Sequence, residues 1–201
     1  MSEAPASDER FEAASARFEA AHREDPRSVE VDGGHVPWSM HYHGRLLHWL
    51  LQLDETASVP LRLAAACQHI RRWEVPRGHY DEGRRGYRSW RSNLAQMHAE
   101  IARGVLEAVG YDQKTIDRVE ALLRKVGLGR DLEVQLFEDA ICMVFFENEF
   151  VDLASKHGDE KMVDILRRTW AKMSPAGHEQ ARALASELPE RERGLMETAT
   201  Q

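Results

Sequence analysis

Apolar residues recur at three- and four-residue steps along most of the 201-residue chain, a period that predicts helices. From Asp8 to His22, the residues Phe11, Ala14, Phe18 and Ala21 share one face, with Asp8 as the expected cap. Residues 24–37 hold Pro26, Gly33, Gly34 and Pro37 and read as a loop. Further helices are expected over 38–53, 60–72, 89–109, 114–126, 132–156, 160–173 and 177–188, with Pro60 in a favoured first-turn position. Residues 73–86 carry Pro76, Gly78, Gly83 and Gly86, too many breakers for a helix. No stretch alternates for long enough to make a convincing strand. The pattern predicts an all-α fold: a single-domain bundle of about eight helices over 8–188, between a disordered 1–7 and a polar tail at 189–201.

The segment 132–156 is apolar nearly all round. Projected at about 100° per residue, Phe137, Ala140, Ile141, Val144 and Phe145 cover one side; Leu132, Met143, Phe146 and Phe150 cover the other. Such a helix is expected at the centre of the molecule. Asp139 falls in the middle of the second apolar group. A lone ionised carboxylate there is very unfavourable, so Asp139 is expected to be paired with an arginine, bound to a metal or protonated. Glu138 lies on another flank and reads as exposed, or as a general acid or base if it faces a pocket.

Composition narrows the class. With 34 Asp+Glu against 27 Lys+Arg the net charge is -7, which argues against general nucleic-acid binding. No run approaches eighteen apolar residues, so no membrane span is expected. The first eight residues lack a basic patch followed by an apolar core, so no secretory signal is read there. Cys67 and Cys142 sit in apolar helical contexts and read as reduced, packed thiols of a cytoplasmic protein. Against this acidic background, residues 67–91 carry seven arginines (Arg71, Arg72, Arg77, Arg84, Arg85, Arg88, Arg91) and three acids. That excess suggests a site for an anionic small molecule. Arg71, Arg72, Arg77 and Arg91 are candidate ligands for phosphate oxygens, and Tyr87 or Trp90 for stacking on a base or ring. The plain alternative is a solvated, arginine-rich connection.

Three of the ten histidines fall in a suggestive order with Asp139. His43 lies on the second predicted helix, His69 ends the third, His98 lies on the fourth and Asp139 on the central one. This layout resembles the HD-domain superfamily of metal-dependent phosphohydrolases. Leu63-Ala-Ala-Ala-Cys-Gln-His69-Ile70 resembles its apolar helix leading into a His-Asp pair, and Leu136-Phe-Glu-Asp139-Ala140 resembles the helix with its final Asp. The resemblance implies an HD-like fold and one divalent transition metal held by His69, His98 and Asp139, with His43 as a fourth ligand. Position 70 is Ile where the superfamily has the carboxylate that bridges two ions, so the implied site is mononuclear. Imidazole and carboxylate ligands suit Zn, Fe, Mn, Ni or Co.

A closer match runs over roughly residues 8–185. Gln68-His-Ile-Arg-Arg-Trp-Glu-Val-Pro-Arg77, Gly86-Tyr-Arg-Ser-Trp-Arg91, Met97-His98-Ala99, Leu136-Phe-Glu-Asp-Ala140 and Thr169-Trp-Ala-Lys-Met-Ser174 resemble an uncharacterised family of bacterial and fungal proteins. Some members of that domain-of-unknown-function family carry a glutamyl-tRNA synthetase label. The chain has no parallel-sheet pattern, no His-x-Gly-His and no Lys-Met-Ser-Lys-Ser to support such an activity; Lys172-Met173-Ser174 runs into Pro175.

Three functions fit these readings. The first is a metal-dependent hydrolase of a phosphorylated small molecule or nucleotide, in which His69, His98 and Asp139 hold an ion that acidifies its water and Glu138 moves a proton. An HD-type iron oxygenase is its variant. The second, favoured by Ile70, is a metal-free protein on a degenerate HD scaffold that binds a nucleotide or phosphometabolite. The third is an interaction module anchored by Trp73, Trp90 and the arginines. No residue pattern bears on the identity of the substrate or on oligomeric state.

Overall fold

The structure, a computed structural model, describes residues 7–201. The disorder expected at 1–7 therefore falls, apart from Ser7, outside the described residues. The all-α class holds: ten α-helices and one two-stranded antiparallel hairpin are described. They divide into two compact units, one of residues up to Leu47 with Ala57–Val126, the other of His48–Thr56 with Gly127–Gln201.

In the first unit α1 (Ser7–His22) leads into the hairpin β1 (Ser28–Val31) and β2 (Gly34–Pro37), and then into α2 (Trp38–Leu53). Asp32 and Gly33 have φ of 51° and 76°, the left-handed conformation that a tight two-residue hairpin demands. The hairpin overturns the reading of 24–37 as a plain loop. It also places Asp25 at the start of α2, where its carboxylate accepts from Ser39 N–H and Oγ and from Arg27. Then come α3 (Val59–Cys67), capped by Ser58, α4 (Gly83–Ala108) and α5 (Gln113–Leu123). Helix α3 packs on α1 and α5, and α4 on α5, around Phe18, Leu63, Ala65, Leu106, Val119 and Leu122. Helix α3 stops five residues short of the predicted end. Beyond Gln68, His69 and Arg71 take φ of 63° and 51°, and Ile70 is turned into the core with no exposure. Helix α4 starts earlier than expected, because Gly86 admits the close approach of the Asp81 carbonyl, which would lie 1.8 Å from a Cβ at that position. Two short 3-10 turns, Arg72–Glu74 and Arg77–His79, occupy the linking segment.

The second unit contains α6 (Leu132–Val144), α7 (Phe150–Ser155), α8 (Asp159–Trp170), α9 (Pro175–Ala185) and α10 (Glu190–Thr200). Asp131 caps α6 by accepting from the N–H groups of Glu133 and Val134. The predicted helix 132–156 is interrupted by a π turn at Phe145–Glu149, which separates α6 from α7. Met143, Phe146, Phe150, Met162, Leu166 and Leu195 form the core. Leu132 is not part of it: at the helix start it is 86% exposed. The segment read as a polar tail, 189–201, is instead helix α10, which buries Leu195, Met196 and Ala199 against α8. That helix and the π turn raise the helix count from about eight to ten. Cys67 and Cys142 are free and buried. No described helix is long and apolar enough to cross a membrane.

Candidate anion site

The break after α3 determines the site in the first unit. With the chain reversing at Gln68–Arg71, the His69 ring comes to lie among Tyr42 (centroids 4.6 Å apart), Trp38 (6.4 Å) and His98 (5.7 Å). His69 and His98 are both buried. Arg72 Nη1 donates to His69 Nε2 at 3.0 Å, and its guanidinium lies over the Trp90 ring at 4.8 Å. An arginine only donates, so Nε2 is the acceptor and the neutral ring carries its proton on Nδ1. That Nδ1, His98 Nε2 and Gln68 Oε1 are buried without a hydrogen-bond partner. Buried polar atoms are seldom left unpaired, and three beside one cavity point to a missing partner.

The cavity is there. It measures about 360 Å³ and is lined by His69 and His98, by Gln68, Ser92 and Gln96, and by the cations Arg91, Arg124 and Lys125. No Asp or Glu lines it. Burial, and then Arg72, His98, Arg91 and Lys125, hold the His69 pKa well below its usual value. Burial, then Arg72 and Arg91, push His98 down to about 3. Lys125 reaches the cavity from a strained position. After α5 the N–H of Val126 bonds to Ala121 O and that of Lys125 to Leu122 O, the paired bonds of a Schellman cap whose left-handed residue is ordinarily Gly. Here it is Lys125, with φ of 56°.

Of the residues singled out from sequence, His69, His98, Arg72 and Arg91 gather here. Others are committed elsewhere. Arg71 is ion-paired with Glu24 and Glu74. Arg77 donates to the carbonyls of Tyr80 and Asp81, holding the segment before α4. Trp90 is buried, with its Nε1 on Val75 O, whereas Tyr87 is exposed. His43 stacks on His22 at 4.8 Å, and burial, then His22, lowers its pKa to about 4. His22, Gln68, Arg124 and Lys125 went unmarked in the sequence; two basic residues at a helix C-terminus are ordinary there.

Asp139 and Glu138 belong to the second unit, and both are buried. Asp139 accepts from Ser174 Oγ (2.5 Å), Ser174 N–H (2.9 Å) and Gln135 Nε2 (3.1 Å). Of the alternatives read from the sequence, the pairing is with neutral donors and not with an arginine. Ser174 Oγ in turn caps α9 through Gly177 N–H. Glu138, read as exposed, pairs with Lys172 Nζ at 3.1 Å. Gln135 Nε2 closes the set on Lys172 O. Leu136–Ala140 and Thr169–Ser174 therefore clasp one another, and Lys172-Met173-Ser174 is the turn between α8 and α9.

The donors do not fit the metal implied above. Among the described residues no three His, Cys, Asp or Glu side chains form a group that could hold an ion. Coordination by His69 Nδ1 would require the proton on Nε2, against the donating Arg72. Three cations line the same cavity.

A family model described as Domain of unknown function (DUF4202) matches residues 12–196. The chain belongs to that family. No curated protein and no solved structure matches this DUF4202 chain.

Proposed function

We propose that this DUF4202 chain binds a phosphorylated small molecule in the cavity of its first unit, without a metal ion. One observation carries the reading: all charged groups lining the cavity are cations, and the Nδ1–H of His69 is buried beside them without an acceptor. Phosphate oxygens would accept from the guanidinium fork of Arg91, from Lys125 and from that Nδ1–H, which are charge-assisted or buried bonds of the stronger kind. Ser92 and Gln96 add uncharged polar groups for the remainder of the ligand. This is the metal-free alternative weighed from the sequence.

Isothermal titration with inorganic phosphate tests it. Binding is expected, with Arg91→Ala weakening it by at least about tenfold, a charge-assisted bond being worth about 1.5–3 kcal/mol. No binding of millimolar phosphate, or binding indifferent to Arg91→Ala, would overturn the reading. Elemental analysis of freshly purified protein separates it from metal-dependent hydrolysis: metal near one equivalent would restore the hydrolase.

A further inference from the structure

We propose that the ligand is anionic at both ends, an α,ω-bisphosphate in chemical class, with its second anionic group held by Arg84 and Arg88 on the exposed start of α4. This rests on the phosphate-binding reading of the cavity. Helix α4 lines the cavity with Arg91, Ser92, Leu94, Ala95, Gln96 and His98. At about 100° per residue these cover somewhat more than half of the helix circumference, and Arg91, Ala95 and His98 run along the middle of that face. Arg84 and Arg88 precede Ala95 by eleven and seven residues, which are whole turns, so they continue the same stripe. Along that stripe exposure falls steadily, from exposed Arg84 and Arg88 through half-buried Arg91 to buried His98. The stripe is a cationic ramp leading down to two buried imidazoles.

The fold itself gives these arginines little to do. Among the described residues, neither Arg84 nor Arg88 makes a hydrogen bond or ion pair. The acids just before them in sequence, Asp81 and Glu82, lie ahead of the helix. The first turn of α4 contains no acid at all. Cations at a helix N-terminus oppose its dipole, and like charges four residues apart repel, so an anion would relieve both. The second, independent sign of a ligand is at the inner end, where His69 Nδ1 and His98 Nε2 are buried and unpartnered. Seven residues of helix separate Arg84 from Arg91, about 10 Å of rise, and this sets the span between the two anionic groups. A small molecule fits better than a nucleic acid: the inner site is a cavity of about 360 Å³ that admits an end group, and the chain as a whole carries -7.

The probes are inorganic phosphate and a series of alkane-α,ω-diol bisphosphates of three to eight carbons, titrated calorimetrically into the full chain and its variants. One bisphosphate length is expected to bind at least about tenfold more tightly than phosphate, because the second contact is intramolecular once the first is made. Arg84→Ala/Arg88→Ala should abolish that advantage and leave phosphate binding unchanged, whereas Arg91→Ala should weaken both. Bisphosphates no tighter than phosphate, or an advantage that survives the double substitution, would overturn the inference and leave the phosphate site standing. A single-stranded oligonucleotide binding as tightly as the best bisphosphate would also overturn it. If the wild type binds no phosphate, the parent reading fails first.

Discussion

Lys125 occupies a backbone conformation that suits glycine, and nothing in the Schellman cap calls for a lysine there. Strained residues of this kind gather at ligand sites, and this one lines the cavity. Lys125→Gly is accordingly expected to raise stability by about 0.5–1 kcal/mol while weakening phosphate binding. Urea midpoint and titration calorimetry on the same preparation read the two effects, and a stabilised variant that binds phosphate as before would remove Lys125 from the site. Gly177 shows the opposite case. A Cβ there would lie 2.8 Å from Asp139 Cγ and Oδ1, atoms fixed by Ser174 and Gln135. Gly177→Ala should therefore cost about 1–3 kcal/mol, as overpacking of a fixed neighbour does. Gly104, in the middle of α4 with nothing within 4 Å of its Cβ position, is the control: Gly104→Ala should gain about 0.5–1 kcal/mol. Thermal melts of the pair should move in opposite directions.

Among the elements, the joint between α8 and α9 depends on α6. Ser174 Oγ donates to Asp139 and accepts from Gly177 N–H, so one hydroxyl serves both a buried acid and a helix cap. Ser174→Ala removes about 1 kcal/mol of capping and strips a buried carboxylate of one donor at about 1–3 kcal/mol more. The two losses share an atom, so Ser174→Ala/Asp139→Ala should be less destabilised than the sum of the single variants. Strict additivity in chemical denaturation would show that the hydroxyl and the carboxylate act separately. The other element with consequences is the hairpin. Asp25 ties it to the start of α2, and α2 supplies the Trp38 and Tyr42 rings beside His69. The hairpin thus bears on the site without touching the ligand.

For the molecule as a whole, pH is the sharpest variable. Burial lowers the pKa of His22, His43, His69 and His98, to about 4 at His43 and about 3 at His98. The unfolded chain protonates these rings near pH 6.5, whereas the folded one keeps them neutral to lower pH. Unfolding therefore takes up protons below pH 6.5. Stability contributed by these groups is present above that value and is lost as pH falls toward 4. Each tenfold difference in a ring's proton affinity between the folded and unfolded chain is worth about 1.4 kcal/mol. The melting temperature should drop steeply between pH 6.5 and 4.5, and His98→Gln should flatten the curve. Added phosphate should restore part of the loss near pH 6, because a ligand that binds only the folded chain stabilises it by mass action. A flat profile over that range would mean that the rings are solvated.

The helical period alone was enough to determine the all-α class and most helix positions, since burying one face of an amphipathic helix constrains only neighbours three and four residues apart. The arginine excess in 67–91, and the resemblance that grouped His69 with His98, also pointed to the cavity region from sequence. Asp32-Gly33 is a two-residue hairpin signal, but the strands beside it are four residues long, too short for their alternation to stand out in the sequence. Only the tertiary structure decided the rest. The end of α3 carries no breaker, and it is the burial of Ile70 that turns the chain and aims His69. The pairing of Asp139 with Ser174 and of Glu138 with Lys172 joins residues 35 and 34 positions apart, which no local period encodes. Whether an arginine meets a carboxylate, a carbonyl or an open cavity is settled by what packs across from it, and that is a property of the fold.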